Sequence, residues 1–424
     1  MSETALPRGL AALATRRRFG VDLSLDRMRE LLRVLGEPLA DLPLIHVAGT
    51  NGKGSTAALL AAALTAGGYR VGLYTSPHLQ RFNERIVIDG AEIDDDVLER
   101  CLDRVLALAP LATFFEVATA TAFLAFAEAS LDACVVETGL GGRLDATNVI
   151  RPQLSVLTPI ALDHRAVLGE SLESIAGEKA GIIKPQVPCV AAGGTPEVER
   201  LFARVCWERE APLWLEGREI EWSADDWGRL AVSTPAGRAA AIEIGLAGGH
   251  QRQNAALAWA ALDLAGGRGL AVEPEARRRG FAEVRWPGRL ERLSGCLLDC
   301  AHNLAASRAL AEALPQNEDH VLVFAALADK DPASMLAALR PRVGRALFPQ
   351  LQSERARRPA QLAALWGDDA EIFPHVEAAL AAARADPRPT VVSGSAYLVG
   401  EARALLEGKA SPQLGDPPAA AGVG

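Results

Sequence analysis

The sequence predicts an α/β protein: a P-loop ATPase-type domain on a mostly parallel sheet, followed by a smaller Rossmann-like α/β domain. Three observations predict it. Short apolar runs alternate with helical stretches along most of the chain. A glycine-rich loop, Gly49-Thr50-Asn51-Gly52-Lys53-Gly54-Ser55, sits between one such run and a helix. The same alternation resumes after Trp286-Pro287-Gly288-Arg289. Apolar strands interleaved with helices argue for a parallel sheet covered on both faces.

The elements follow in order. Leu25, Met28, Leu31, Leu32 and Leu35 recur at helical spacing, and Gly36 with Pro38 ends that helix. Leu44 to Ala48 reads as a buried strand, and 55–66 as a helix stopped by Gly67-Gly68. Strands are expected at 69–74, 133–136, 154–158 and 189–191, with helices at 97–108 and 116–129. Beyond Arg289 the expected strands are 296–299, 321–325 and 390–393, with helices starting near 304 and at Pro332. This gives a domain at 1–285, a second at 286–408, and a disordered tail at 409–424, rich in Pro, Ala and Gly.

Composition narrows the function. A net charge of −9 gives no electrostatic case for nucleic acid or an anionic membrane. Anionic ligands therefore need locally built positive sites. The six cysteines show no C-x-x-C pair, so they read as thiols in a reducing compartment. Arg8 and Arg16 to Arg18 precede no apolar stretch, so no signal peptide is expected. No apolar run reaches membrane-spanning length. The expected location is the cytoplasm.

The glycine loop departs from the general pattern G-x-x-x-x-G-K-[ST], because Val47 stands where its first glycine would be and Gly54 separates Lys53 from Ser55. The physics survives the departure. Glycines let backbone N–H groups turn toward phosphate, and the helix N-terminus adds a positive field. Lys53 supplies a mobile cation, while Ser55 or Thr56 offers a hydroxyl near phosphate and Mg²⁺. Glu137 ends an apolar strand, where α/β sheets bind ligands, and reads as a Mg²⁺ ligand. His164 follows another strand; taken alone it is as well a surface histidine. Taken alone, Lys179 is a solvated helix residue.

The loop His46 to Ser55 resembles that of the folylpolyglutamate and dihydrofolate synthases, relatives of the Mur peptidoglycan ligases. Further stretches match in the same order. They are Thr75-Ser76-Pro77-His78-Leu79, Phe114-Phe115-Glu116, Glu137 to Asn148, Leu162-Asp163-His164 and Glu178 to Ile182. His250 to Ala255, Trp286 to Glu291 and Asp299 to Asn303 complete the series.

The resemblance implies an ATP-dependent ligase that phosphorylates a carboxylate and lets the amine of L-glutamate displace phosphate. The acceptor would be dihydropteroate, tetrahydrofolate or both. Two Mg²⁺ ions are implied, held by Ser76, Glu137 and His164, with Lys179 carbamylated by CO₂ as a further ligand. ATP would rest on residues 49–56 (Gly49, Thr50, Asn51, Gly52, Lys53, Gly54, Ser55 and Thr56), with Asn254, Arg289, Asp299 and His302. Lys330 would stand near the amino-acid substrate. Thr119, Asp145 and Ala146 would bind the pterin, and Phe114-Phe115 either wall that pocket or belong to the core. Asp299 to Asn303 also reads as a helix N-cap group. One departure is Arg165-Ala166 after His164, where the family often has a polar residue or Met and then an acid.

A monomer is expected. A synthase acting on folates alone stays open. A peptidoglycan ligase would want a further domain before the loop, and the 48 residues ahead of Gly49 are too few for one. A nucleotide-driven switch is a third reading, although the N-K-x-D guanine motif is missing.

Overall fold

A computed structural model describes residues 7–16 and 24–409. The first strands are β1 Leu44–Ala48, β2 Val71–Tyr74, β3 Ile86–Ile88, β4 Ala91–Glu92, β5 Ala133–Glu137, β6 Leu154–Leu157, β7 Cys189–Ala191 and β8 Leu213–Leu215. They form an eight-stranded sheet in the order β4-β3-β2-β5-β1-β6-β7-β8. It is parallel from β2 to β8, with β3 and β4 added antiparallel at one edge. The helices of this part are α1 Arg8–Ala14, α2 Asp26–Val34, α3 Lys53–Ala66, α4 Asp95–Leu108, α5 Phe114–Glu128, α6 Arg165–Leu168, α7 Leu172–Ala180, α8 Pro196–Glu208, α9 Gly249–Gly266 and α10 Pro274–Glu283.

Strand alternation explains the layering. In β5, Ala133 and Val135 pack with α3 and α9 on one face, while Cys134 and Val136 pack with α2, α4 and α5 on the other. A strand buried on both faces needs apolar residues at every position, and β1 is buried throughout. β1 is flanked by β5 and β6, so the chain crosses to opposite sides of it. That is a topological switch point, where a crevice opens beyond the strand ends.

Strands β9 Glu221–Ala224, β10 Leu230–Thr234 and β11 Gly237–Ile242 form a small antiparallel sheet that the sequence reading did not anticipate. The second large sheet has β12 Glu291–Leu293, β13 Cys296–Asp299, β14 His320–Phe324, β15 Val343–Pro349, β16 Ala370–Phe373 and β17 Thr390–Ser393. Its order is β12-β13-β17-β14-β15-β16, parallel except for β12. Helices α11 Leu304–Ala313, α12 Pro332–Leu339, α13 Pro359–Trp366, α14 Val376–Arg384 and α15 Ala396–Leu406 cover it. The fold is thus α/β throughout, with two largely parallel sheets. The tail expectation lies outside the described residues from 410 onward. Lys409 itself closes α15, donating its N–H to Ala404 O at 2.9 Å.

Helix starts differ from the sequence expectation in one instructive way. The helix expected from 55 begins at Lys53, so that lysine sits in the first turn beside the glycine loop. The helix expected from about 116 begins at Phe114 because Thr113 and Glu116 close a capping box ahead of it.

Candidate functional site

The crevice at the switch point opens into a cavity of about 1260 Å³ between the two large sheets. Such a volume exceeds that of a typical small-ligand pocket and suits more than one substrate.

Gly52 caps α3 with φ of 86°. A β-carbon there would stand 2.2 Å from Asn254 Oδ1, so both the backbone and the close approach require glycine. Thr56 N donates to Gly52 O at 2.8 Å, the first bond of the helix. The N–H groups of Lys53, Gly54 and Ser55 precede that bond and make an anion-binding helix end. Thr50 N and Asn51 N donate to Pro159 O at 3.0 and 3.2 Å, tying the loop to the end of β6. Lys53 Nζ donates to Thr50 O at 3.2 Å and lies 3.9 Å from Glu137 Oε1. Ser55 and Thr56 are buried, and among the described residues Thr56 Oγ1 has no hydrogen-bond partner.

Glu137, at the end of β5, is 3% exposed and accepts the Ser76 N–H at 3.1 Å. Burial pushes its carboxyl up, against the opposing pull of Lys53 and the Ser76 N–H. Lys179 on α7 is 4% exposed and donates to Gly49 O at 2.7 Å. Burial, then the charge of Lys53, lowers its pKa to about 7. Lys53, Glu137, Ser76 and Lys179 therefore gather at the loop.

His164 belongs to a different cluster. It stands at φ of 51° ahead of α6. Its Nε2 is 3.2 Å from Lys330 Nζ, and its Nδ1 is 3.7 Å from Asp329. Burial, then Lys330, lowers its pKa to about 3, so the ring is neutral. Asp163 is the hub here. Its carboxylate takes Lys330 Nζ, His302 Nε2 at 3.3 Å and Asn303 Nδ2 at 3.1 Å. Burial opposes ionisation of Asp163, but the His302 hydrogen bond and the neighbouring charge of Lys330 hold it well below the usual carboxylate range. Asn303 also exchanges amide hydrogen bonds with Asn51, at 2.9 and 3.3 Å. Asp163 lies inside a matching stretch without a role of its own in the sequence, and Asn303 is read there only as part of an N-cap group; their long-range pairing leaves no local signal.

The remaining expected residues fall as follows. Asn254 Nδ2 donates to Gln251 Oε1 at 2.9 Å, against the glycine loop. Arg289 lines the cavity. Asp299 accepts Leu290 N at 3.0 Å and Ala301 N at 2.9 Å, while Asn303 caps α11 through Ala306 N. The N-cap reading of this stretch thus describes Asn303, and His302 turns to Asp163. Asp145 and Ala146 line the cavity, with Phe114 and Phe115 beside them. Asp145 is fixed by N–H groups of Leu140 and Thr147, at 2.8 and 3.0 Å. Thr119 departs from expectation. It is fully buried inside α5, and its hydroxyl meets Tyr74 OH at 3.2 Å instead of the cavity.

Among the described residues no group of three or more His, Cys, Asp or Glu side chains is placed to hold a metal. Glu137 offers carboxylate oxygens, and Ser76, whose N–H it accepts, carries a hydroxyl. A buried carboxylate with a single lysine at 3.9 Å fits a hard cation that binds few protein groups and keeps its waters. Among the described residues no helix is long and apolar enough to cross a membrane.

Comparison with known proteins agrees with this layout. The Mur ligase middle domain matches residues 47–262, and the Mur ligase, glutamate ligase domain matches 288–396. A dihydrofolate synthase/folylpolyglutamate synthase from Bacillus subtilis is 39% identical, over 76% of this chain and 80% of that one. The structure of E. coli FolC in complex with DHPP and ADP superposes with a TM-score of 0.87 at 34% identity, covering 95% of this chain and 99% of that one. The Yersinia pestis bifunctional folylpolyglutamate synthase/dihydrofolate synthase, complexed with AMPPNP and Mn ion, gives 0.86 at 32% identity, covering 95% and 100%. With both domain models matched in order and relatives matched over most of their length, the chain belongs to the folylpolyglutamate synthase and dihydrofolate synthase family of ATP-dependent ligases within the Mur ligases.

Proposed function

We propose that the protein joins L-glutamate to dihydropteroate, to tetrahydrofolates, or to both, through an acyl phosphate, releasing ADP and phosphate. One observation carries this reading: a phosphate-type loop, a buried carboxylate and two lysines gather at one sheet edge, and Ser76, which bonds to that carboxylate, lines a cavity shared with Arg289, His302 and Lys330 and large enough for nucleotide and acceptor.

A carboxylate does not condense with an amine at neutral pH because its oxygen leaves poorly. The acceptor carboxylate attacks the γ-phosphorus of ATP, the bond to ADP breaks, and an acyl phosphate forms. The amine of glutamate then attacks the acyl carbon, phosphate leaves, and the nitrogen sheds a proton. Residues 49–56 cradle the phosphates, and Lys53 neutralises the charge that builds on the transferred group. Asn254, Arg289, Asp299 and His302 border the nucleotide. Lys330 lies on the amino-acid side, and Asp145 and Ala146 on the pterin side.

Glu137 and Ser76 would hold Mg²⁺, with His164 reached on closure of the cleft, and the ion would screen the phosphates. Lys179, with a pKa near 7, has a substantial neutral fraction near neutral pH and is in that form nucleophilic toward CO₂. Its nitrogen would attack the carbon, lose a proton and become an anionic carbamate, able to serve a second Mg²⁺. The division at 1–285 and 286–408 follows the two separately cored sheets. We read the chain as a cytoplasmic monomer, and the buried free cysteines suit a reducing compartment.

The test is a substrate panel. Purified protein receives ATP, Mg²⁺ and L-glutamate with dihydropteroate or tetrahydrofolate, and products are read by mass spectrometry. Product from both acceptors establishes both activities, and product from tetrahydrofolate alone leaves a monofunctional synthase. ADP release without any amide product sinks the reading.

A further inference from the structure

The cavity holds a second cationic centre, apart from the phosphate loop. Arg85 is only 7% exposed, yet it lines the cavity with His78 and Phe114. Its guanidinium lies 5.5 Å from the ring centroids of both Phe82 and Phe114. Its Nε donates to His78 Nδ1 at 2.7 Å. That bond needs a lone pair on Nδ1, which a doubly protonated ring lacks. The histidine therefore aims the guanidinium without offsetting its charge. Among the described residues, no carboxylate lies within ion-pair distance of Arg85; Arg27, Arg81, Arg143, Arg355 and Arg403 around the same cavity each have one, and the others without one, Arg279, Arg285 and Arg289, are exposed or half-buried where Arg85 is buried.

A buried cation without a counter-ion is costly unless a ligand supplies the anion. The fork of an arginine matches a carboxylate bidentately. The reacting carboxylate must meet phosphate at Lys53, whose hydrogen bond runs to the loop carbonyl of Thr50. Arg85 hydrogen-bonds to His78 instead, while its carbonyl takes Thr75 N at 3.0 Å, one residue before Ser76. It stands beside the reacting edge but is not part of it. Resting on the folate reading above, we infer that Arg85 receives the acceptor's non-reacting carboxylate, the α-carboxylate of a glutamyl residue already attached. Dihydropteroate has a single carboxylate, which reacts. Glutamylated folates have a second. Arg85 is thus a specificity residue for chain extension over first glutamylation.

Initial rates on wild type and Arg85→Met, with dihydropteroate, tetrahydrofolate and the α-carboxamide of tetrahydrofolate, test this. Loss of a charge-assisted pair is expected to raise KM for tetrahydrofolate about 10- to 100-fold. The rise for dihydropteroate should be smaller by at least about tenfold. The α-amide should serve wild type as poorly as tetrahydrofolate serves the variant, with no further loss in the variant. Equal losses on both acceptors, or an α-amide as good as the acid on wild type, overturn the inference. If the variant fails to fold, the amide comparison on wild type alone decides. If wild type glutamylates neither acceptor, the folate reading fails and this inference falls with it.

Discussion

Two charged clusters lie side by side, and they are built on opposite principles. Around Asp163 every charge is met. Lys330, His302 and Asn303 converge on its carboxylate, and His164 and Asp329 sit at the rim. Around Lys53 the charges are held short of contact. Its ammonium stops 3.9 Å from Glu137, and both lysines spend their hydrogen bonds on loop carbonyls. Burial accordingly pushes Glu137 up and Lys179 down, whereas its partners hold Asp163 down. A saturated cluster joins parts of a fold, and an unsaturated one waits for a ligand to complete it. Under the proposed function, the contrast would give Asp163 the task of holding the two sheets together and leave Lys53, Glu137 and Lys179 to chemistry.

The strongest way to break that assignment is Asp163→Ala. It strands a buried ammonium, and losing one partner of a buried pair costs about 3–5 kcal/mol. Chemical denaturation should show the loss, with the first transition moving to lower denaturant. A variant as stable as wild type but inactive would move Asp163 to the chemical side. Lys53→Met is the converse. Removing one electrostatic contact to the transferring group should lower kcat by roughly 100- to 1000-fold. The melting temperature should barely move, because this lysine gives up no ion pair closer than 3.9 Å. A stability loss matching that of Asp163→Ala would erase the distinction.

Lys53 and Glu137 of the unsaturated cluster are legible in the residues themselves, whereas for the saturated cluster the resemblance names His164, His302 and Lys330 but not their convergence on Asp163. Lys53 announces itself by neighbours in the chain, and Glu137 by ending a fully apolar strand. Each signal is local. Asp163 and Lys330 are 167 positions apart, so no window contains both. The same limit explains Thr119. Helix α5 is buried almost all round, so nothing in its pattern separates the cavity side from the core. The small antiparallel sheet was missed because β9 and β11 are largely exposed and carry little apolar alternation.

Lys179 gives a finer test through pH. Its folded pKa, about 7, lies below the ordinary lysine value of 10.5, so between those values the unfolded chain carries a proton that the native chain has lost. Unfolding then takes up protons, and stability rises with pH across that window; below it both states are protonated and the full burial penalty remains. Relative to Lys179→Met, wild type should gain up to about 1.4 kcal/mol per pH unit above pH 7. Denaturation curves taken from pH 6 to about 9 in CO₂-free buffer would show this. Parallel profiles for the two proteins would place the lysine in water and return it to the satisfied class.

The smallest effect lies where the clusters meet. Asn51 belongs to the phosphate loop and Asn303 to the Asp163 hub, and their side-chain amides exchange two hydrogen bonds. Asn303 keeps its other partners, Asp163 and Ala306 N, when Asn51 is removed. Asn51→Ala should therefore cost only about 0.5–1.5 kcal/mol, the net worth of ordinary hydrogen bonds. Asn303→Ala should cost more, since it also uncaps α11. The informative quantity is the coupling in the double-mutant cycle. A coupling of about 1 kcal/mol means that the loop's resting position is set partly by the hub. Purely additive losses would mean that the loop is shaped by its glycines and Pro159 alone, and that the two clusters are mechanically independent.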